Sequence, residues 1–172
     1  MAHPDVEAQF KAVLDAVRAV LKDAGYTKRG TSFSSAKDGN VRIVAFQRSS
    51  ASSASAIKFT VNLGVISSEL LRRWDPEKDP SKASIWDTHI RERIGALMPA
   101  RRDRWWTVTS SSVAAVVDEV VNLIATLAIP FLQQHSRDSD LVALWKTGRS
   151  PGLTEGQRVR NLALLGESGS QP

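Results

Sequence analysis

The chain of 172 residues contains no cysteine, and this absence excludes several kinds of chemistry at once. Disulfides, thiolate nucleophiles, cysteine-ligated zinc and iron–sulfur clusters all require thiols. Histidine is also scarce. The three histidines, His3, His89 and His135, show no metal-ligand spacing, and no HExxH motif or carboxylate cluster accompanies them. We therefore expect no metal ion and no cofactor.

The sequence also lacks the common catalytic motifs. GxSxG, GxxxxGK[ST] and GxGxxG are all missing, so neither a nucleophile elbow nor a phosphate-binding loop is indicated. The serines concentrate in SSASSASA and SSS, where a loop and a helix cap account for them. The strands carry almost no carboxylates, so a catalytic pair on adjacent strands is not expected. These absences favour a protein that is not an enzyme.

No long uninterrupted hydrophobic run is present. The most apolar stretch, Val113 to Leu132, contains Asp118, Glu119 and Asn122, which argues against a membrane span. The first residues include acids where a secretory signal would be basic. The net charge of +5 permits anionic partners without requiring them. We expect a soluble, basic, cytoplasmic protein without a membrane partner.

The hydrophobic periodicity predicts helices at both ends of a sheet. Apolar residues recur every three or four positions in Asp5–Ala24 and Val113–Phe131, with Pro130 expected to kink or end the second helix. Alternation is clearest in Ile57–Val65. The predicted strands are Thr31–Ala36, Val41–Arg48, Ile57–Val65, Trp86–Met98 and Trp105–Thr109. KDGN favours a tight hairpin between the first two.

This order of elements predicts an α+β two-layer sandwich. An antiparallel meander of about five strands would pack against an N-terminal helix and a long C-terminal helix. We assign residues 1–135 to this domain and residues 136–172 to a helical extension packed on it, with the final ESGSQP disordered. Ser67–Ser84 is an irregular excursion. The sheet face away from the helices must be solvated, or covered by the excursion and the extension.

A row of polar side chains should occupy that second face. Alternation in HIRERIG places His89, Arg91 and Arg93 on one side, with Ile90 and Ile94 on the helix side. Lys58 and Asn62 of the neighbouring strand share the polar side. One residue of the pair Trp105–Trp106 must join them, and the other must enter the core. The excursion or the extension should approach this face, because Trp74, Trp86 and Trp145 otherwise lack places to bury.

This row has two interpretations. In the first, it is only the solvated face of a sheet, with arginine packed on tryptophan. Alternatively, it binds an anion or a partner, since three basic groups in one row repel each other unless something neutralises them. The candidate ligand- or partner-binding residues are Lys58, Asn62, His89, Arg91, Arg93, Trp105 and Trp106.

Three function classes follow from this surface. The first is a non-catalytic binding module that engages an acidic protein partner or a small anionic ligand. The second is nucleic-acid binding, for which the arginines around Trp105 and Trp106 would provide a basic patch with stacking groups. The third is an enzyme in which His89 acts as general acid or base, and Arg91 or Arg93 steadies an anion.

Several motifs together resemble one bacterial family, the domain of unknown function 4304. They are a loosely spaced FxxxLxxxGYxKRGxxF from Phe10, AFQRS at Ala45–Ser49, KFTVNLGV at Lys58–Val65, HIRERIG at His89–Gly95, and the tryptophan pair. The resemblance covers most of residues 7–135, and the rest looks like an extension found in some members. It implies an α+β fold and no established reaction. Some small bacterial domains of this general kind are immunity proteins, and such a protein would use the polar row to cover a toxin.

Overall fold

One antiparallel sheet forms the centre of the fold, in a computed structural model that describes residues 4–37 and 39–168. Strands β1 to β5 follow each other in the sheet in chain order, as a meander, and β6 also pairs with β4. The strands are β1 (Thr27–Arg29), β2 (Ser32–Ser35), β3 (Val41–Arg48), β4 (Ile57–Ile66), β5 (Ile90–Arg93) and β6 (Trp106–Val108). The predicted α+β class with an antiparallel meander is confirmed.

Strands β5 and β6 lie end to end along the same edge of β4. Arg93 of β5 pairs with Asn62, and Trp106 of β6 pairs with Phe59. Only Thr60 and Val61 separate these partners on β4, whereas residues 94–105 intervene between β5 and β6. The two strands are therefore one interrupted fifth strand, and the sheet is five positions wide.

The prediction of a continuous strand over Trp86–Met98 is wrong at both ends. Before β5, a 3-10 turn covers Ile85–Asp87, and a capping box between Ser84 and Asp87 fixes it. After β5, a second 3-10 turn covers Ile94–Leu97. Gly95 lies so close to the next segment that a Cβ atom there would be 2.2 Å from the carbonyl oxygen of Arg102. A side chain at this position would therefore clash with the backbone of the segment that follows.

Two smaller differences concern the first hairpins. The short edge strand β1 was not predicted, because its three residues show no apolar alternation. The connection that contains KDGN is wider than a tight hairpin, since β2 ends at Ser35, β3 begins at Val41, and Ser35 pairs with Arg42. Asp38 of this motif lies outside the described residues.

Helices α1 and α3 cover one face of the sheet. Helix α1 spans Pro4–Asp23, and a single long helix consists of α3 (Val113–Leu123), a π segment (Ile124–Ala128) and α4 (Ile129–Gln134). Pro130 has no N–H for an α-helical bond to Thr126, and the π segment lies in the turn where the proline ring would clash. The helix therefore continues beyond Pro130 instead of ending there.

By length and apolar composition, the helix from Val113 to Gln134 is the one described helix that could cross a membrane. Its apolar stripe has another role in this fold. Val120, Ile124, Ala128 and Leu132 along one side have no exposed surface, and they belong to the core formed with α1 and the sheet. Such a stripe is expected of a helix that packs on a sheet.

The chain after Gln134 forms α5 (Asp138–Lys146) and α6 (Glu155–Ser168). Leu141, Trp145 and Leu165 from these helices join the main core. Of the final ESGSQP, for which we expect disorder, the first two residues are the last two of α6, and residues 169–172 lie outside the described residues.

A second, smaller core covers part of the other sheet face. Leu71 of helix α2 (Ser68–Trp74) and Ile85 pack there against Ile43 and Ile66. A 3-10 turn at Pro80–Lys82 completes this segment. The excursion therefore shields one end of the second face and leaves the other end, around β5 and β6, more open.

Candidate binding site

The sheet register places the arginines of β5 on the face away from the helices. Arg91 lies opposite Gly64 and Arg93 lies opposite Asn62, whereas Ile90 pairs with Val65 of the main core. Ile90 and Ile94 have no exposed surface. The phase predicted from HIRERIG is therefore confirmed.

The adjacent tryptophans divide between the two faces, as alternation requires. Trp106 is 2% exposed and stacks on Phe59, with ring centroids 5.5 Å apart. Trp105 lies on the polar side, where its ring centroid is 5.7 Å from Lys58 Nζ and 5.3 Å from Arg93 Cζ. Trp105 can contact a partner there. Trp106 is a core residue and offers a partner no surface.

Arg91 is held between an exposed tryptophan and the chain before α6. Its Cζ atom lies 4.9 Å from the centroid of the Trp86 ring, and Trp86 is 66% exposed. The Arg91 backbone N–H donates to the carbonyl of Pro151 at 2.9 Å. Gly152 then passes so close that a Cβ atom would lie 2.8 Å from Arg91 Cβ. The side chain of Arg91 has no carboxylate partner within the described part of the chain.

Arg93 has a different environment. Its Nη1 forms an ion pair with Asp103, whose Oδ2 also accepts a hydrogen bond of 2.9 Å from Trp105 Nε1. The carboxylate thus links the guanidinium to the indole. This contact partly neutralises Arg93 and fixes its position beside Trp105.

These residues surround a pocket of about 330 Å³. Its lining includes Trp86, Arg91 and Arg93. The side-chain amides of Gln47 and Asn62 also line it, and Asn62 Nδ2 donates a hydrogen bond of 2.9 Å to Gln47 Oε1. Glu92 also lines the pocket and accepts the Arg93 backbone N–H at 3.3 Å. We call this surface the Arg–Trp face. It consists of Lys58, Trp86, Arg91, Arg93 and Trp105, with Gln47 and Asn62 in the pocket.

The structure separates His89 from the pocket. His89 is 8% exposed, and its Nδ1 accepts the backbone N–H of Ser67 at 3.0 Å. Burial lowers the pKa of His89 to about 4, although nearby Asp138 and Asp87 act in the opposite direction. A backbone N–H can only donate, so Nδ1 is the acceptor and the ring proton is on Nε2.

Sequence reasoning missed Gln47, Trp86 and Gly152 as pocket residues. Trp86 was assigned to a strand, where alternation would have placed it on the helix side. The spacing of Ser84 and Asp87 is a capping-box signal that would have indicated the turn. No comparable signal marks Gly152, because its contact with β5 is long-range.

A second exposed tryptophan also stacks on an arginine. Trp74 of α2 is 52% exposed, and its ring centroid lies 4.1 Å from Arg160 Cζ of α6. We expected the excursion or the extension to provide burial for Trp74, Trp86 and Trp145. Of the three, only Trp145 has no exposed surface, and it is buried in the main core and not at the polar face.

Residues 4–37 and 39–168 contain no group of three or more histidines, aspartates or glutamates arranged to hold a metal ion. The site offers guanidinium, indole and amide groups together with the ammonium of Lys58, and it also holds the carboxylates of Glu92 and Asp103. Together the guanidinium, indole and amide groups can hold a planar anion by paired hydrogen bonds and stack on an aromatic or cationic surface.

Fold and site thus describe an α+β protein with a basic, aromatic pocket on the sheet face that its long helices leave uncovered. The chain belongs to the DUF4304 family, described as a domain of unknown function, whose sequence model matches residues 17–134. That match contains the whole Arg–Trp face and stops before Gly152. No curated protein and no solved structure matches the chain.

Proposed function

We propose that this protein is a non-catalytic binding module that engages an acidic partner through the Arg–Trp face. The observation that carries the proposal is the environment of the Arg91 guanidinium. Its guanidinium borders an open pocket and stacks on a mostly exposed tryptophan, and the described residues give it no carboxylate. A carboxylate from a partner would complete its hydrogen bonds bidentately.

The residue types of the surface favour an acidic protein over a free anion. Tryptophan and arginine are the residue types that most often dominate the binding energy of protein interfaces. Here Trp86 exposes most of its ring next to Arg91, and Trp105 lies beside Arg93. A partner would bury the indoles and pair with Arg91. An immunity protein that covers a toxin is one form of such a module, and a small anion in the pocket is the minimal form.

Nucleic-acid binding has less support. Arg93 is paired with Asp103, and Arg104 donates two hydrogen bonds of 2.7 and 2.6 Å to Glu119. These pairs reduce the positive charge that phosphates would meet. Catalysis by His89 is also disfavoured, because Nδ1 already accepts a hydrogen bond and the imidazole is neutral near pH 7. With no cysteine, the fold needs no oxidising compartment, and the cytoplasm remains our proposed location.

The test compares a glutamate-rich peptide with the corresponding glutamine peptide, in a direct binding assay such as biolayer interferometry. We expect only the acidic peptide to bind. The double variant Arg91→Gln/Arg93→Gln should weaken its binding about ten-fold or more, the effect of losing about 1.4 kcal/mol. The matched control is Arg18→Gln/Lys22→Gln on α1, where both side chains are exposed and the loss of charge is the same.

Two results would overturn the proposal. Equal losses in both double variants would mean that net charge alone attracts the peptide. A tighter complex with oligothymidylate of the same charge, weakening steeply as salt is raised, would instead assign the face to nucleic acid. Thermal unfolding of each variant separates a lost contact from a lost fold.

A further inference from the structure

A second cavity lies outside the Arg–Trp face. It has a volume of about 570 Å³, between the end of α4, helix α5 and the segment that leads to α6. This size is typical of pockets that hold small organic molecules. Pro151 lines this cavity and the next residue, Gly152, lines the Arg–Trp pocket, so the two sites lie on opposite sides of one chain segment.

One wall of the cavity is apolar. Leu97, Phe131 and Leu144 supply it, and each is only partly buried against the main core. An apolar ligand body that covered these side chains would remove further hydrocarbon surface from water. The hydrophobic effect therefore favours a ligand with an aromatic or branched body.

The nearly buried imidazole of His135 faces the same cavity. His135 is 9% exposed, and its ring centroid lies 4.7 Å from that of Phe131. Nδ1 lies 2.8 Å from the carbonyl oxygen of Phe131, which can only accept, so Nδ1 carries a proton. Nε2 has no hydrogen-bond partner in the described residues. In the neutral ring this atom is an acceptor, and it would take a hydrogen bond from a hydroxyl group of a ligand.

The charge in the cavity is unbalanced. Asp140 already accepts hydrogen bonds from the backbone N–H and Nε of Arg137, at 3.1 and 3.4 Å, where it caps α5. Arg149 lines the cavity and is exposed, and the described chain supplies no carboxylate that pairs with it. An anionic group of a ligand would find its hydrogen-bond donors at Arg149.

We propose that this cavity binds a small hydroxylated organic acid. Its carboxylate would pair with Arg149 at the rim, its apolar body would lie on Phe131, and its hydroxyl would donate to Nε2 of His135. The inference is independent of the Arg–Trp face, because none of these three residues belongs to that surface.

Three closely matched probes test the proposed chemistry. They are 4-hydroxyphenylacetate, phenylacetate without the hydroxyl, and 4-hydroxyphenylacetamide without the charge. Their dissociation constants can be measured by ligand-observed NMR on the full chain. The first should bind most tightly, loss of the hydroxyl should weaken binding about three- to ten-fold, and loss of the charge should weaken it about ten-fold or more.

Substitutions then locate the site. Arg149→Gln should weaken the binding of 4-hydroxyphenylacetate about ten-fold. The control Lys146→Gln removes the same charge from an exposed neighbour on α5, and it should change the binding by no more than about two-fold. Ala143→Phe on the lining should block the cavity. The control Arg91→Gln should have no effect, which separates this site from the Arg–Trp face.

Either of two outcomes would overturn this proposal. One is absence of 4-hydroxyphenylacetate binding at millimolar concentration. The other is equal binding by wild type and Arg149→Gln, which would place the ligand elsewhere.

Discussion

His89 and Arg91 are two residues apart in the chain, yet their surroundings differ completely. The excursion covers His89, and the backbone of Ser67 occupies its Nδ1. Arg91 remains at the pocket beside the exposed ring of Trp86. The predicted face is confirmed for Arg91 and Arg93, which lie opposite Gly64 and Asn62, whereas His89 precedes β5. Burial, which depends on how the excursion folds back, decides which residue can meet a partner.

The buried imidazole makes stability depend on pH. The pKa of His89 is about 4 in the folded chain and 6.5 in its ordinary state. Above pH 6.5 both states are neutral. As the pH falls from 6.5 towards 4, the unfolded chain binds the proton first, so stability is lost. We expect His89 to account for a loss of about 2–3 kcal/mol in the free energy of unfolding between pH 7.5 and 4.5.

Urea unfolding of wild type and His89→Asn at both pH values checks this. The asparagine Oδ1 can accept the Ser67 N–H in place of Nδ1, but the side chain does not titrate in this range. The wild type should therefore lose more stability than the variant on acidification. Identical losses would show that His89 carries no such penalty, and that carboxylates alone produce the acid sensitivity.

At the scale of elements, the local hydrophobic pattern predicted correctly those strands and helices that bury at least one face along their whole length. Strands β3 and β4 have the predicted bounds within one residue, because β4 alternates cleanly and β3 is buried on both faces. The interruption between β5 and β6 was not predictable in this way. It depends on the fit of Gly95 against Arg102 and Arg104, which are distant in the local pattern and close only in the fold.

The same limit applies to the site. The side on which Arg91, Arg93 and one tryptophan lie follows from a period of two, so it could be predicted. The stacking of Arg91 on Trp86 could not, since a 3-10 turn replaces the expected strand at that point. The approach of Gly152 requires the extension to return to β5, and no local spacing encodes such a contact.

The contact between the extension and β5 can be tested with two glycines of similar conformation. Gly152 has φ +76° and lies against Arg91, whereas Gly148 has φ +81° and has open space around it. Alanine at either position must adopt the left-handed backbone conformation, which costs about 1–2 kcal/mol. Gly152→Ala must also displace β5 or the segment, so we expect it to reduce the free energy of unfolding by at least about 1 kcal/mol more than Gly148→Ala.

Urea unfolding of the two alanine variants gives the comparison directly. Equal destabilisation would mean that the segment moves away from β5 without loss, and that Pro151 and Gly152 do not hold Arg91. A larger effect at Gly152 would show that the extension positions the arginine of the pocket.

For the whole molecule, the question is whether the chain beyond the family match is a separate unit. The match ends at residue 134. The main core continues past it, because Leu141 and Trp145 have no exposed surface and contact the same cluster as Phe10 and Phe59. Arg158 of α6 in turn donates to the carbonyl of Trp145 at 2.6 Å. We therefore expect the extension and the sheet to unfold together.

Substitution of two tryptophans tests this cooperativity. Trp145→Ala leaves a cavity in the shared core and should reduce the free energy of unfolding by about 3–5 kcal/mol. Trp74→Ala removes the same side chain from a half-exposed position and should cost about 1 kcal/mol or less.

Far-UV circular dichroism during urea unfolding reports on all helices at once. We expect Trp145→Ala to shift a single transition to lower urea, because the helices of the extension and the sheet share one core. If the extension were only docked, Trp145→Ala would instead produce an early loss of part of the helical signal, followed by a transition at the wild-type midpoint.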